Sequence, residues 1–123
     1  MSERRLLAID DEPEMVEFVG IVGESLGYRV EVTGNAKDFK LAFERFNPTT
    51  IVMDILMPDT NGIELVKWLV EQKNSARVVM ASGVNSVHRS SLIALGEEGG
   101  FSLSFLDKPF RIESLRTVLG SAE

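Results

Sequence analysis

Short apolar runs alternate along the chain with amphipathic stretches of helical length. The apolar runs are Leu6-Leu7-Ala8-Ile9, Arg29–Thr33, Thr50–Met53, Arg77–Ala81 and Phe101–Leu106. Three of them are close to uniformly apolar, as expected of strands covered on both faces. The run Arg29-Val30-Glu31-Val32-Thr33 alternates instead, which predicts a strand at a sheet edge. Between the runs, Met15, Phe18, Val19, Val22 and Leu26 follow helical spacing, with Pro13 near the start and Gly27 at the end. Phe39, Ala42, Phe43 and Phe46 make a second stripe, closed by Asn47-Pro48. Ile63, Val66, Leu69 and Val70 make a third, after Asn61-Gly62. Val87 to Glu98 is a weaker fourth, stopping before Gly99-Gly100, and Ile112, Leu115, Val118 and Leu119 make a short fifth.

Strands alternating with helices in this way imply right-handed βαβ crossovers and one parallel sheet, an α/β fold. In such sheets ligands bind beyond the carboxyl ends of the strands. Four segments are therefore candidates: Ile9 to Pro13, Asp54 to Gly62, Ala81 to Val84, and Leu106 to Phe110. They carry Asp10, Asp11 and Glu12, then Asp54, then Ser82 and Gly83, then Lys108-Pro109.

Any one of these groups has a plain structural reading. An acid at a strand end is most often a helix cap or a solvated loop residue, and Asp10-Asp11 alone could cap the helix near Pro13. A single lysine is most often a surface residue. The set is different, because separate loops place compatible groups on the one rim that the fold reserves for ligands. Carboxylates this crowded need a proton or a cation between them. Every donor is oxygen, which suits Mg²⁺, with Mn²⁺ as the alternative. Mg²⁺ commonly takes a remaining ligand from a phosphate, and Lys108 and Ser82 could meet such a group as a point charge and a hydroxyl donor.

Composition narrows the classes. With 123 residues, 44% hydrophobic and 26% charged, the chain reads as one ordinary globular domain over residues 1–123. A linker to a further module would begin near Gly120-Ser121-Ala122-Glu123, so the domain could also be the N-terminal part of a longer regulator. There is no cysteine, which excludes disulfides and thiolate metal sites. The net charge of −6 argues against direct nucleic-acid binding or an anionic membrane surface, and favours cations or a basic partner patch. Met1–Arg5 is polar and the next apolar run stops at Asp10, so no signal peptide or membrane span is expected and the default location is cytoplasmic. No P-loop or Gly-rich fingerprint follows the first strand, and Asp10, Asp11 and Glu12 stand where a nucleotide or flavin would need backbone donors.

In their order along the chain, these residues resemble the response-regulator receiver domain, the phosphoacceptor half of two-component signalling. The resemblance covers essentially the whole chain. It rests on Asp10-Asp11, on Asp54-Ile-Leu-Met57-Pro58-Asp-Thr-Asn-Gly62 (the family's Asp-x-x-Met-Pro-x-x-x-Gly), on Ser82 followed by a small residue, and on Lys108-Pro109-Phe110. It implies a flavodoxin-like doubly wound (βα)5 fold with a five-stranded parallel sheet in the order 2-1-3-4-5. It implies that Asp54 accepts a phosphoryl group from a sensor histidine kinase or phosphotransfer protein. Asp11 and Asp54 would bind the metal directly, Asp10 through water, and Leu56 through its backbone carbonyl. Lys108 would pair with the phosphoryl oxygens. Ser82 and Phe105 would form the switch, and the Lys108-Pro109 bond would be cis. The fourth helix, fifth strand and fifth helix would signal to an output domain or protein, or carry a homodimer. Such a protein is a switch that phosphorylates and slowly dephosphorylates itself, and has no enzyme turnover of its own.

Two departures from the family pattern stand out. The stretch from Ser82 to Lys108 is longer than usual and runs through Leu95–Ser104, marking an unusual fourth helix or exit loop. The switch aromatic is Phe105, so its inward and outward states differ by packing alone. His88 reads as an exposed residue, and Trp68 as a partly exposed packing residue off the inward stripe of its helix. Two rivals remain. A phosphorylation-independent docking module would not need the intact acidic set. An aspartate-nucleophile phosphatase would need an acid two residues after Asp54, where Leu56 stands.

The resemblance also bears on lifetime. Positions two after the phosphoacceptor and two after the switch hydroxyl help govern hydrolysis in this family, and here they are Leu56 and Val84, neither able to orient a water. Purified phosphoprotein should therefore lose its label over minutes to hours, as followed by intact mass. Decay within seconds would contradict this reading.

Overall fold

The computed structural model describes residues 3–55, 62–82 and 89–120, with position 82 described through its backbone. The elements are β1 (Arg5–Ile9), α1 (Pro13–Ser25), β2 (Arg29–Thr33), α2 (Ala36–Phe46), β3 (Thr50–Asp54), α3 (Gly62–Glu71), β4 (Arg77–Ser82), α4 (Arg89–Gly99), β5 (Leu103–Asp107) and α5 (Ile112–Gly120). The strands form one parallel sheet in the order β2-β1-β3-β4-β5, as the resemblance implied, with the alternating strand β2 at an edge. No described helix is long and apolar enough to cross a membrane.

The two-residue period of the strands sorts side chains into two cores. Leu6, Ala8, Val52, Val79 and Leu106 face α1 and α5, where they meet Val16, Val19, Val22, Leu115 and Leu119. Leu7, Ile9, Ile51, Met53, Val78 and Met80 face the other way, toward Phe39, Leu65, Val66, Leu69 and Leu92. Trp68 belongs to the rim of this second core, edge-on to Phe43 at 5.3 Å and Phe39 at 6.4 Å, so packing accounts for it.

Helix ends follow local chemistry. Asn35 caps α2, its side chain accepting from the Asp38 N–H at 2.8 Å. Asn47 closes that helix in the left-handed region (φ 54°), and Gly27 (φ 93°) follows α1. The last carbonyls of α5 are held from the amino ends of the strands: Leu119 accepts from the Tyr28 hydroxyl at 2.7 Å and from Arg4 at 3.2 Å, the residues just before β2 and β1, and Val118 accepts from Arg77, the first residue of β4, at 2.8 Å. Two of these donors are cations at a helix C-terminus, the end the helix dipole makes negative.

The fifth strand starts two residues later than the apolar run predicted. Phe101 is buried, but it folds back on α4: its N–H bonds the Gly96 carbonyl at 3.0 Å, after Gly100 turns at φ 77°. A Cβ on Gly99 would lie 2.6 Å from the Phe101 ring, so glycine admits this contact. The long stretch before Lys108 therefore includes an eleven-residue helix and a tight glycine-lined exit.

Gly62 controls the approach of α3 to β3. A Cβ there would lie 2.8 Å from Met80 Cε, 3.0 Å from Ile55 Cα and 3.2 Å from the Asp54 carbonyl oxygen. Two of those atoms are backbone and cannot rotate away. Gly62→Ala should cost about 1–3 kcal/mol in chemical denaturation, the usual penalty for overpacking. Gly120→Ala, where a Cβ meets nothing within 4 Å, is the control and should not destabilise.

Candidate functional site

Register alone brings the acids together. Ile9 pairs with Met53, so Asp10 and Asp54, the next residue on each chain segment, stand side by side at adjacent strand ends. Asp54 pairs in turn with Ala81, and Ala81 with Leu106, two residues before Lys108. Asp10, Asp54 and Lys108 thus continue the parity of Ala8, Val52 and Leu106 and belong to the α1/α5 side of the sheet. Ala8, Val16, Val19, Val52, Ala81 and Phe110 line the small cavity that Asp10 and Asp54 roof.

Asp10 and Asp54 are nearly buried, at 5% and 8% exposure, while Asp11 is exposed. Asp10 does not cap α1. The residue at the N-cap is Glu12, without a side-chain cap bond, and Asp10 Oδ1 accepts the Glu12 N–H at 3.0 Å. Its other oxygen accepts from Lys108 Nζ at 3.1 Å, and the same ammonium lies 3.5 Å from Asp54 Oδ2. The peptide bond joining Lys108 to Pro109 is cis. Phe110 then packs on Phe18 of α1 with ring centroids 6.2 Å apart.

Burial alone would lower the Lys108 ammonium, but the hydrogen bond to Asp10 and the charges of Asp54 and Asp10 outweigh it and hold its pKa above the ordinary lysine value. Lys108 is therefore charged throughout the neutral range. Its pKa is raised in the folded chain, so its stabilising contribution is complete below the ordinary lysine pKa and is lost only as alkaline pH passes through the raised value.

One carboxylate oxygen from each of Asp10, Asp11 and Asp54 can be chosen so that all lie within 4.8 Å of one another. Three carboxylates facing one ammonium leave an excess of negative charge. Hard oxygen donors at this spacing, one of them exposed, fit a small divalent cation that keeps part of its water shell. The sequence-predicted residues Asp10, Asp11, Asp54 and Lys108 are thus brought together. Leu56, Gly83, Val84, His88 and the side chain of Ser82 lie outside the described residues.

Phe105 is half-buried on the opposite face of the sheet, the side of α3 and α4. Arg89, the first residue of α4, covers its ring with the guanidinium carbon 4.7 Å from the centroid and pairs with Asp107. Neither Arg89 nor Asp107 stands out in the sequence. The only available signal was the two-residue step from Phe105 to Asp107, and nothing local marks Arg89 as their partner.

Comparison with known proteins gives concordant results. The family model described as the response regulator receiver domain matches residues 6–120. The chain is 27% identical over 115 residues to the transcriptional regulatory protein TrcR of Mycobacterium tuberculosis, covering 93% of this chain and 43% of that protein. It is 26% identical over 112 residues to the DNA-binding response regulator MtrA of Mycolicibacterium smegmatis, covering 91% and 47%. The chain therefore spans less than half the length of these curated relatives. Among solved structures, the chemotaxis protein CheY4 of Vibrio cholerae superposes with a TM-score of 0.84 at 23% identity, over 99% of this chain and 100% of that one. The receiver domain of the Francisella response regulator 1452 superposes with a TM-score of 0.81 at 27% identity, over 98% and 96%.

The acid cluster sets an expectation for metal. Mg²⁺ at about one hundred times its dissociation constant should stabilise the wild type by about 2.7 kcal/mol. Thermal melts with and without Mg²⁺ measure the increment. Asp11→Asn should lose most of it while keeping the fold, since Asp11 is exposed. An equal increment in the variant would remove Asp11 from the site.

Proposed function

Because the chain belongs to the response regulator receiver family of two-component signalling, we propose that Asp54 is its phosphoacceptor, taking a phosphoryl group from a phosphohistidine of a sensor histidine kinase or phosphotransfer protein. The observation that carries this reading is the convergence of Asp10, Asp11, Asp54 and Lys108 at one rim of the sheet. An Asp54 carboxylate oxygen attacks phosphorus. The phosphorus–nitrogen bond breaks, and its electron pair stays on the departing imidazole. Lys108, already 3.5 Å from Asp54 Oδ2, moves its charge from Asp10 to a phosphoryl oxygen. Phosphoryl transfer needs little beyond such positioning and charge neutralisation.

Asp11 and Asp54 would hold Mg²⁺ or Mn²⁺ directly, Asp10 through a water, and Leu56 through its carbonyl. When bound, the cation neutralises charge on the phosphoryl oxygens. Asp10 and Asp11 would share in holding that charge, so that Asp54 needs only one oxygen for it and keeps the other as nucleophile. The new phosphate adds about two negative charges and strong acceptors beside Lys108. Ser82 would turn toward it, and Phe105 would repack as Ser82 moves. The face formed by α4, β5 and α5 would then present a changed surface to an output domain, a separate protein or a second copy. The phosphorylation-independent docking module finds no support in the family match or the relatives, which are response regulators.

Incubation with Mg²⁺ and acetyl phosphate should add one phosphoryl group, read by intact mass, and beryllofluoride should bind in its place. Asp54→Asn should lose both. Modification that persists in Asp54→Asn, or that fails in the wild type, overturns the assignment.

A further inference from the structure

The two ends of α4 are held by different kinds of contact. At its C-terminal end the contact is at backbone distance. A Cβ on Gly96 would lie 3.2 Å from the Phe101 carbonyl oxygen and 3.3 Å from Leu103 Cβ. At its N-terminal end the polar tie to β5 among the described residues is the side chain of Arg89. Its guanidinium carbon lies over the Phe105 ring, 4.7 Å from the centroid, within cation–π range. Its Nη2 also donates to the Asp107 carboxylate. Phe105 and Asp107 are two residues apart on β5, so one planar cation reaches both on the same face.

These contacts are of modest strength by their nature. The Asp107 side chain is 77% exposed, so the ion pair is open to solvent and salt. The Arg89 Nε is buried with no hydrogen-bond partner among the described residues, which lowers the net gain of the arrangement. Phe105 has no hydroxyl through which it could be held outward by a hydrogen bond. A cation on the ring face supplies a polar hold that the side chain itself lacks.

We propose that Arg89 is a positioning residue, a latch that uses the Phe105 ring and the Asp107 carboxylate to hold the N-terminal end of α4 and the switch aromatic in the resting arrangement. The inference rests on the reading of Phe105 as the switch. Before phosphorylation the latch sets how often the active packing is visited. Its loss raises that fraction without any added phosphate, and a more populated competent state reacts proportionally faster with a small phosphodonor. High salt weakens the Asp107 arm and acts in the same direction.

The test uses the full chain labelled with fluorophenylalanine, the Phe105 resonance being identified by its absence in Phe105→Leu. Beryllofluoride with Mg²⁺ defines the active position in the wild type. Without phosphodonor, Arg89→Gln should raise the active fraction about three- to tenfold, and acetyl phosphate should modify Asp54 faster by a similar factor. Asp107→Asn, a surface change, should give a smaller shift in the same direction and remove the salt dependence. Arg89→Lys should recover part of the wild-type behaviour, because a point charge keeps the pair but stacks less well. If both Arg89→Gln and Asp107→Asn match the wild type in spectrum and rate, there is no latch. If the wild type itself is not modified by acetyl phosphate, the phosphoacceptor reading fails instead, and the two failures are distinct.

Discussion

Two nearly buried carboxylates, Asp10 and Asp54, stand at adjacent ends of a parallel sheet with one ammonium between them. Much else in the molecule serves that placement. Like charges this close are unfavourable unless a cation neutralises them. Lys108 supplies part of the compensation, and the exposed Asp11 widens the cluster toward solvent, where a hydrated divalent ion can enter. Lys108 reaches both acids because β4 lies between β3 and β5 and the loop after β5 turns back over the rim. The site is therefore a consequence of strand order as much as of residue type.

The period of the strand divides the rim charges from the Phe105 side. Residues of one parity (Asp10, Asp54 and, beyond Leu106, Lys108) belong to the α1/α5 side and carry the charge. Phe105 and Asp107, of the other parity, belong to the side of α3 and α4 and meet Arg89. The helices around the sheet are also held unequally. The last turn of α5 is tied by Arg4, Tyr28 and Arg77. In α4, backbone-level packing holds the exit, while the entry is held by buried Leu92 and, toward β5, by Arg89.

Hydrophobic periodicity made the order of elements legible, because a buried strand needs apolar residues on both faces and a surface helix needs a stripe on one. The edge position of β2 followed from its alternation. The rim chemistry was legible for a related reason: parallel sheets put ligands at strand ends, and Asp10, Asp11, Asp54 and Lys108 all fall there. β5 starts two residues after its apolar run begins, because Phe101 is apolar for another purpose, packing on the glycine-lined end of α4. An apolar residue reports burial, and burial by a helix and burial in a sheet look alike in sequence.

Local patterning along the chain was enough for the kinds of element, the residue types at the rim and the resemblance to the receiver family. These depend on contacts between near neighbours and on spacing along the chain. Folding was needed for Asp10 to accept from Lys108 ninety-eight residues away rather than cap α1, and for Arg89 to cover Phe105. Those pairings join residues from separate elements. The register of the sheet, set by the packing of the whole core, fixes which side chains meet, and no local pattern encodes it.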